Sequence, residues 1–174
     1  MKAFPLKHGR IIDFEGTRKT GIKQAAIIDI SDFEIASHYE YLSTDGKFSD
    51  WLISNRNTNQ IEFWVAHNAC VEKNIMNEYA PYKSSYKQKS KALQWGPWID
   101  TLVLYNRLYT NLGDYSLKNL GKIFLDSEEV SQLADELCHR TSPIFHQSMF
   151  DCVVTFQLIN RLRDQIDLNL FIDV

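Results

Sequence analysis

From Gly9 to Leu42 apolar residues come in short runs separated by turn-forming residues. Gly9-Arg10-Ile11-Ile12-Asp13-Phe14-Glu15 reads as a strand that stops at Gly16-Thr17, and Ala25 to Ile30 reads as a second. After the turn-like Ser31-Asp32-Phe33-Glu34, the stretch Ile35 to Leu42 makes a third. The connections are too short for a crossover helix, so the three are expected to pair as an antiparallel meander. A brief helix is expected around Phe48 to Asn55. Ile61-Glu62-Phe63-Trp64-Val65-Ala66 supplies a fourth strand, rich in aromatic and β-branched residues. The period then changes. Asn68 is a preferred N-cap for a helix running to about Tyr79, while Pro81 to Pro97 has no strong periodicity. Trp98-Ile99-Asp100 reads as a fifth strand, followed by a helix over Thr101 to Leu108. Leu117, Leu120, Ile123 and Phe124 keep helical spacing, as do Val130, Leu133, Ala134 and Leu137. The best helix, His146 to Arg163, carries Val154, Leu158 and Leu162 on one stripe. Strands first, then strands alternating with helices, predict one α/β domain over residues 1–174 with a mixed sheet.

Composition agrees with that picture. A chain of 174 residues, 44% hydrophobic and 24% charged, suits one soluble domain with a sizeable core. No apolar stretch is long enough to cross a bilayer, and Met1 to Arg10 is too mixed for a signal peptide. Cys70, Cys138 and Cys152 have no metal-knuckle or disulfide-framework spacing, which fits a reduced, cytoplasmic setting. The net charge of −3 argues against tight, sequence-general coating of DNA. An acidic total is compatible with nucleic acid if the acids gather in one site and the bases lie elsewhere.

Three short stretches carry candidate chemistry. Asp13 and Glu15 lie two apart on a strand, so both carboxylates project from one face. Adjacent carboxylates repel unless protons or cations relieve them; two solvated acids at a strand end are the plainer alternative. In Val65-Ala66-His67-Asn68-Ala69-Cys70-Val71-Glu72 a strand runs straight into a helix, with Glu72 one turn inside. Glu72 is there either as a site residue or as an ordinary early-turn acid favoured by the helix dipole. The third stretch is His146-Gln147-Ser148-Met149-Phe150-Asp151. Asp151 shares a helical face with Thr155, Leu158 and Leu162, and a carboxylate on an apolar face needs a metal or an ion-pair partner.

In this order, Asp-x-Glu, His-Asn-Ala-x-Val-Glu and His-x-Ser-x-x-Asp resemble the three motifs of the DEDDh exonucleases, the family of the proofreading epsilon subunit of bacterial DNA polymerase III. The resemblance runs from Ile11 to about Leu162 and includes Thr17 after Glu15, Ile99-Asp100-Thr101-Leu102, Tyr115-Ser116-Leu117-Lys118-Asn119-Leu120, and Thr155 four residues after Asp151. It implies a ribonuclease H-like α/β fold, with a mixed five-stranded sheet whose first three strands are antiparallel, flanked by helices. It also implies a 3′→5′ exonuclease that releases nucleoside 5′-monophosphates with two Mg²⁺ or Mn²⁺ ions. Asp13, Glu15 and Asp151 would hold metal, Glu72 would act on the second ion through water, and His146 would be the general base. Where the family's second motif ends in aspartate this chain has Glu72, which keeps the charge and lengthens the arm by one methylene.

The implied partner is a single-stranded DNA or RNA 3′ end, with DNA repair as the expected setting. A homodimer or a polymerase or repair partner stays open. Gly16, Thr17, His67 and Asn68 are expected near the terminal nucleotide. From Tyr79 to Trp98, Lys83, Lys87, Lys89 and Lys91 alternate with Tyr82, Tyr86, Trp95 and Trp98, and no acid interrupts them. Bases stack on aromatic rings while lysines meet phosphates, so Lys87, Lys89 and Trp95 are expected to contact the strand. The alternative is a solvated loop with Trp95 and Trp98 packed on the core. Two other functional readings share the site: a non-catalytic nucleic-acid-binding module of the same fold, and a phosphodiesterase for short oligonucleotides.

Overall fold

A computed structural model describes residues 6–17, 19–42, 46–55, 61–80, 95–138 and 146–173. Strand β1 (His8–Thr17) pairs antiparallel with β2 (Gly21–Ser31), and β2 pairs antiparallel with β3 (Glu34–Leu42). Helix α1 (Phe48–Ser54) precedes β4 (Phe63–Ala66), which lies parallel to β1. Helix α2 (Cys70–Tyr79) follows, then β5 (Trp98–Asp100), parallel to β4. Helices α3 (Thr101–Leu108), α4 (Leu117–Phe124), α5 (Ser127–Leu137) and α6 (Ser148–Asn160) complete the helical part. The expected five-stranded mixed sheet is present. A two-residue strand, β6 (Ile172–Asp173), extends it on the far side of β5, giving the order β3-β2-β1-β4-β5-β6. Two residues are too few to show a period of two in sequence, which is why β6 has no sequence signal.

Both faces of the sheet are covered, so its inner strands are apolar runs rather than strict alternations. One face, with Ile11, Ala26, Ile28, Val65 and Ile99, packs against α3, α4, α5 and α6. The other, with Ile12, Phe14, Ile27, Trp64 and Trp98, packs with α1 and α2 through Phe48, Leu52 and Met76. Every residue from Ser148 to Phe156 on α6 is buried. A single stripe at Val154, Leu158 and Leu162 understates this helix: it is wedged between the sheet and its neighbours and buried on all sides. Burying each Leu, Ile or Val side chain there contributes about 1.5–3 kcal/mol.

Gly9 leaves room for the Phe63 ring between β1 and β4. A Cβ on it would lie 2.4 Å from Cζ of Phe63, whose ring is fully buried against β1. The β1–β4 register therefore depends on a bare backbone at that position. It sets Ile11 opposite Val65 and brings the ends of β1 and β4 to the same edge of the sheet.

Candidate active site

The acids come together at the carboxyl ends of β1 and β4. Asp13 and Glu15 leave β1 on the face that α6 covers, and Asp151 comes from the first turn of α6. Glu72 enters from the first turn of α2, where it is 3% exposed. Six buried side-chain N or O atoms have no hydrogen-bond partner among the described residues. Three of them are Asp13 Oδ2, Glu72 Oε2 and Asp151 Oδ1. Among the described residues no Lys or Arg pairs with any of the four acids.

Burial without a countercharge pushes three of these carboxyls, those of Asp13, Glu72 and Asp151, up from their ordinary range. Asp13 is raised well above the usual aspartate value, first by burial and then by the charges of Asp151, Glu72 and Glu15; the Ser148 hydroxyl opposes this. Glu72 is pushed up to about 8, mainly by burial, with Asp100 and Glu15 adding to the effect. Asp151 is raised to about 7 by burial and Glu15, against the lowering pull of the His146 backbone N–H and side chain. The mutual repulsion puts all four acids in one electrostatic unit. Their oxygens are hard ligands, so this donor set fits Mg²⁺ or Mn²⁺. Among the described residues Glu15, His146 and Asp151 also offer ligand atoms that lie within 4.8 Å of one another.

His146 sits just before α6, with its side chain 89% exposed and Nδ1 3.8 Å from Glu15 Oε1. Its backbone has φ of +68°, and its N–H donates to Asp151 Oδ2 at 3.2 Å. A left-handed conformation is costly for a residue with a Cβ and is held here by that contact to the acid. The imidazole thus stands at the rim, tethered to the cluster through its own backbone.

The remaining expected contacts divide. Gly16 lies at a bulge after Glu15 with φ of +142°, where a Cβ would meet the Gly21 carbonyl oxygen at 2.3 Å. Thr17, at the end of β1 two residues after Glu15, shares a hydroxyl contact of 2.8 Å with Thr20. His67 is half-buried with Nδ1 3.0 Å from Thr101 Oγ1, and burial lowers its pKa. Asn68 does not cap α2. It has φ of +62°, the cap residue is Ala69 without a side-chain bond, and Asn68 itself is exposed. Asp100 instead holds the approach to α2: its carboxylate accepts from the N–H groups of Asn68 and Ala69 at 3.0 and 2.9 Å. The side-chain pairing that defines this junction spans about thirty residues of sequence, which local reading does not detect.

Trp95 corrects the expectation of base stacking. It is 6% exposed, donates from Nε1 to the Ala80 carbonyl, and packs edge-on against Trp64. Its ring faces are taken up by the core, as are those of Trp98. Lys83, Lys87, Lys89 and Lys91, with Tyr82 and Tyr86, lie outside the described residues.

No family model matches the sequence, and no curated protein sequence matches it. Solved structures do. Exonuclease X in complex with 5′-overhanging duplex DNA superposes with a TM-score of 0.60 at 21% identity, over 95% of this chain and 98% of that one. A full-length 3′-exonuclease gives 0.54 at 14% identity, over 91% and 82% of the two chains. A 3′-exonuclease described in 3′-end-specific recognition of the histone mRNA stem-loop gives 0.53 at 12% identity, over 91% and 64%. The chain has the ribonuclease H-like fold of the DEDDh-type 3′→5′ exonucleases.

Proposed function

We propose that this protein is a divalent-metal-dependent 3′→5′ exonuclease, and that Asp13, Glu15, Glu72 and Asp151 with His146 form its active site. The observation that carries the reading is the convergence of three buried, unpartnered carboxylate oxygens, from Asp13, Glu72 and Asp151. Buried carboxylates with no cationic partner are strongly disfavoured, and a cation site is the arrangement that makes such a cluster useful. Asp13, Glu15 and Asp151 would hold metal directly, and Glu72 would act on a second ion through water. Two Mg²⁺ or Mn²⁺ ions held there would supply Lewis-acid stabilisation of the charge that develops on the phosphoryl group.

The chain's own residues do the rest. Glu15 Oε1 faces Nδ1 of His146, so a proton on Nδ1 leaves Nε2 as an acceptor. Nε2 takes the proton of the attacking water as its oxygen bonds to phosphorus and the P–O3′ bond breaks. The departing O3′ takes up a proton from solvent, so the shortened strand ends in a new 3′-hydroxyl, and the terminal nucleotide leaves as a nucleoside 5′-monophosphate. The exposure of the imidazole gives it room to meet a substrate arriving at the rim. Gly16 and Thr17 at the adjoining bulge, with His67 and Asn68 at the β4–α2 junction, are proposed to border the terminal nucleotide.

The substrate we infer is the 3′ end of a DNA or RNA strand, and structural neighbours described with duplex DNA and with an mRNA stem-loop support that class. We propose DNA repair as the setting in which such an activity would serve. Cys70, Cys138 and Cys152 are unpaired, which supports a reducing, cytoplasmic setting. No helix among the described residues is long and apolar enough to cross a membrane. Product analysis tests the reading. A 5′-labelled oligonucleotide with a free 3′-hydroxyl should shorten stepwise and release nucleoside 5′-monophosphates, whereas a 3′-phosphate-blocked strand should resist. Internal cuts, or release of 3′-phosphates, would overturn it.

A further inference from the structure

Asp100 ends β5 opposite Ala66 of β4 and serves two helices at once. Its Oδ1 accepts from the N–H groups of Leu102 at 3.0 Å and Val103 at 3.5 Å, the ordinary N-cap of α3. The same oxygen accepts from Asn68 at 3.0 Å, and Oδ2 is given to Ala69 at 2.9 Å. Capping α3 needs one oxygen; here the second is spent on the start of α2, which has no side-chain cap of its own. A neighbouring link runs parallel to it, from His67 Nδ1 to Thr101 Oγ1 at 3.0 Å and from Thr101 to the Ala66 carbonyl at 3.4 Å. The β4–α2 and β5–α3 junctions are thus fastened to each other. Glu72 is the acid that this fastening delivers, three residues past the Ala69 cap and buried with an unpartnered oxygen.

We propose that Asp100 is a positioning residue: by clamping the Asn68–Ala69 turn that leads into α2 to the end of β5, it fixes where Glu72 presents its carboxylate to the acidic site. The inference rests on reading the four acids as a divalent-cation site, and it goes beyond that reading in assigning Glu72's placement to a residue outside the site. It accounts for a carboxylate at this position. An Asn could still cap α3 through one oxygen, but its amide nitrogen cannot accept from the α2 backbone.

The test is Mn²⁺ affinity, measured by titration of free Mn²⁺ with electron paramagnetic resonance, on the purified full chain. Wild type, Asp100→Asn, Glu72→Gln and the double variant form a cycle. Asp126→Asn serves as control. Asp126 caps α5 through the Glu128 and Glu129 N–H groups, and α5 carries none of the four acids. Asp100→Asn should weaken Mn²⁺ binding roughly 10–100-fold, as loss of an outer support of a ligand does. Asp126→Asn should leave binding at the wild-type value, and Asp100→Asn should add nothing once Glu72→Gln is present. Asp100→Glu, which keeps both acceptor oxygens on a longer arm, is measured alongside in case the Asn variant does not fold, and it too should weaken binding. Wild-type affinity in a folded Asp100 variant, an equal loss in Asp126→Asn, or additive losses in the cycle would each overturn the proposal. Failure of the wild-type chain to bind Mn²⁺ at all would bring down the cation-site reading instead, and this inference with it.

Discussion

Glu72→Gln should make the metal-free protein more stable at alkaline pH, although it removes an active-site residue. Glu72 is 3% exposed and its carboxyl is pushed up to about 8, from an ordinary 4.5. A carboxyl raised on folding contributes its full stability below the unfolded value. That contribution is lost as pH rises from about 4.5 through about 8, because the unfolded chain releases the proton more readily. At 1.36 kcal/mol per pH decade, ionised Glu72 costs the metal-free fold up to about 5 kcal/mol above pH 8. Gln cannot ionise, so the variant escapes this cost. Asp13 is also raised by the Glu72 charge, and neutralising Glu72 relaxes it in the same direction. A chain of this size shifts its Tm by roughly 2–4 °C per kcal/mol. Thermal melts in EDTA should therefore show similar Tm values at pH 4.5 and a variant higher by up to roughly 10–20 °C at pH 9. Adding Mg²⁺ should raise the wild-type Tm at pH 9 more than that of Gln, since ligand binding stabilises the state that binds. A Tm difference independent of pH, or a variant less stable at pH 9, would refute the electrostatic account of the cluster.

Two further outcomes are expected. His146→Ala should lower kcat roughly 10²–10⁴-fold, the usual contribution of a general base, while Mn²⁺ affinity stays near the wild-type value; an unchanged rate would remove His146 from the mechanism. Gly9→Ala should destabilise the fold by about 1–3 kcal/mol in urea unfolding, because the new Cβ would lie 2.4 Å from the buried Phe63 ring; no loss would mean that β1 and β4 can separate without cost.

What could be read from the residues was what depends on local period. The meander of β1, β2 and β3 is legible because its turns are short, and the shared direction of Asp13 and Glu15 follows from the pleat. The helix that delivers Asp151 was legible through its spacing, but not its burial on all sides, which only the sheet beneath it decides. Asn68 shows the limit of a propensity argument. The residue type that favours an N-cap also tolerates the left-handed region, and here it takes the latter while Asp100 reaches across from the neighbouring strand to hold the turn that leads into α2. Trp95 shows the limit of composition, since lysines and rings in alternation look like a strand-binding loop. Its indole N–H instead satisfies the Ala80 carbonyl inside the core. In each case the deciding contact lies far away in sequence or beyond the reach of any local pattern.

A cleavage assay tests most directly whether these acids form a metal-dependent exonuclease site, with 5′-labelled single- and double-stranded DNA and RNA incubated with Mg²⁺, with Mn²⁺ or with EDTA. On at least one substrate the wild-type chain should shorten the strand from its 3′ end only when metal is present, and Asp13→Ala and Asp151→Ala should abolish this while remaining folded. Metal-independent shortening, shortening that survives loss of Asp13 and Asp151, or no shortening of any substrate would contradict it.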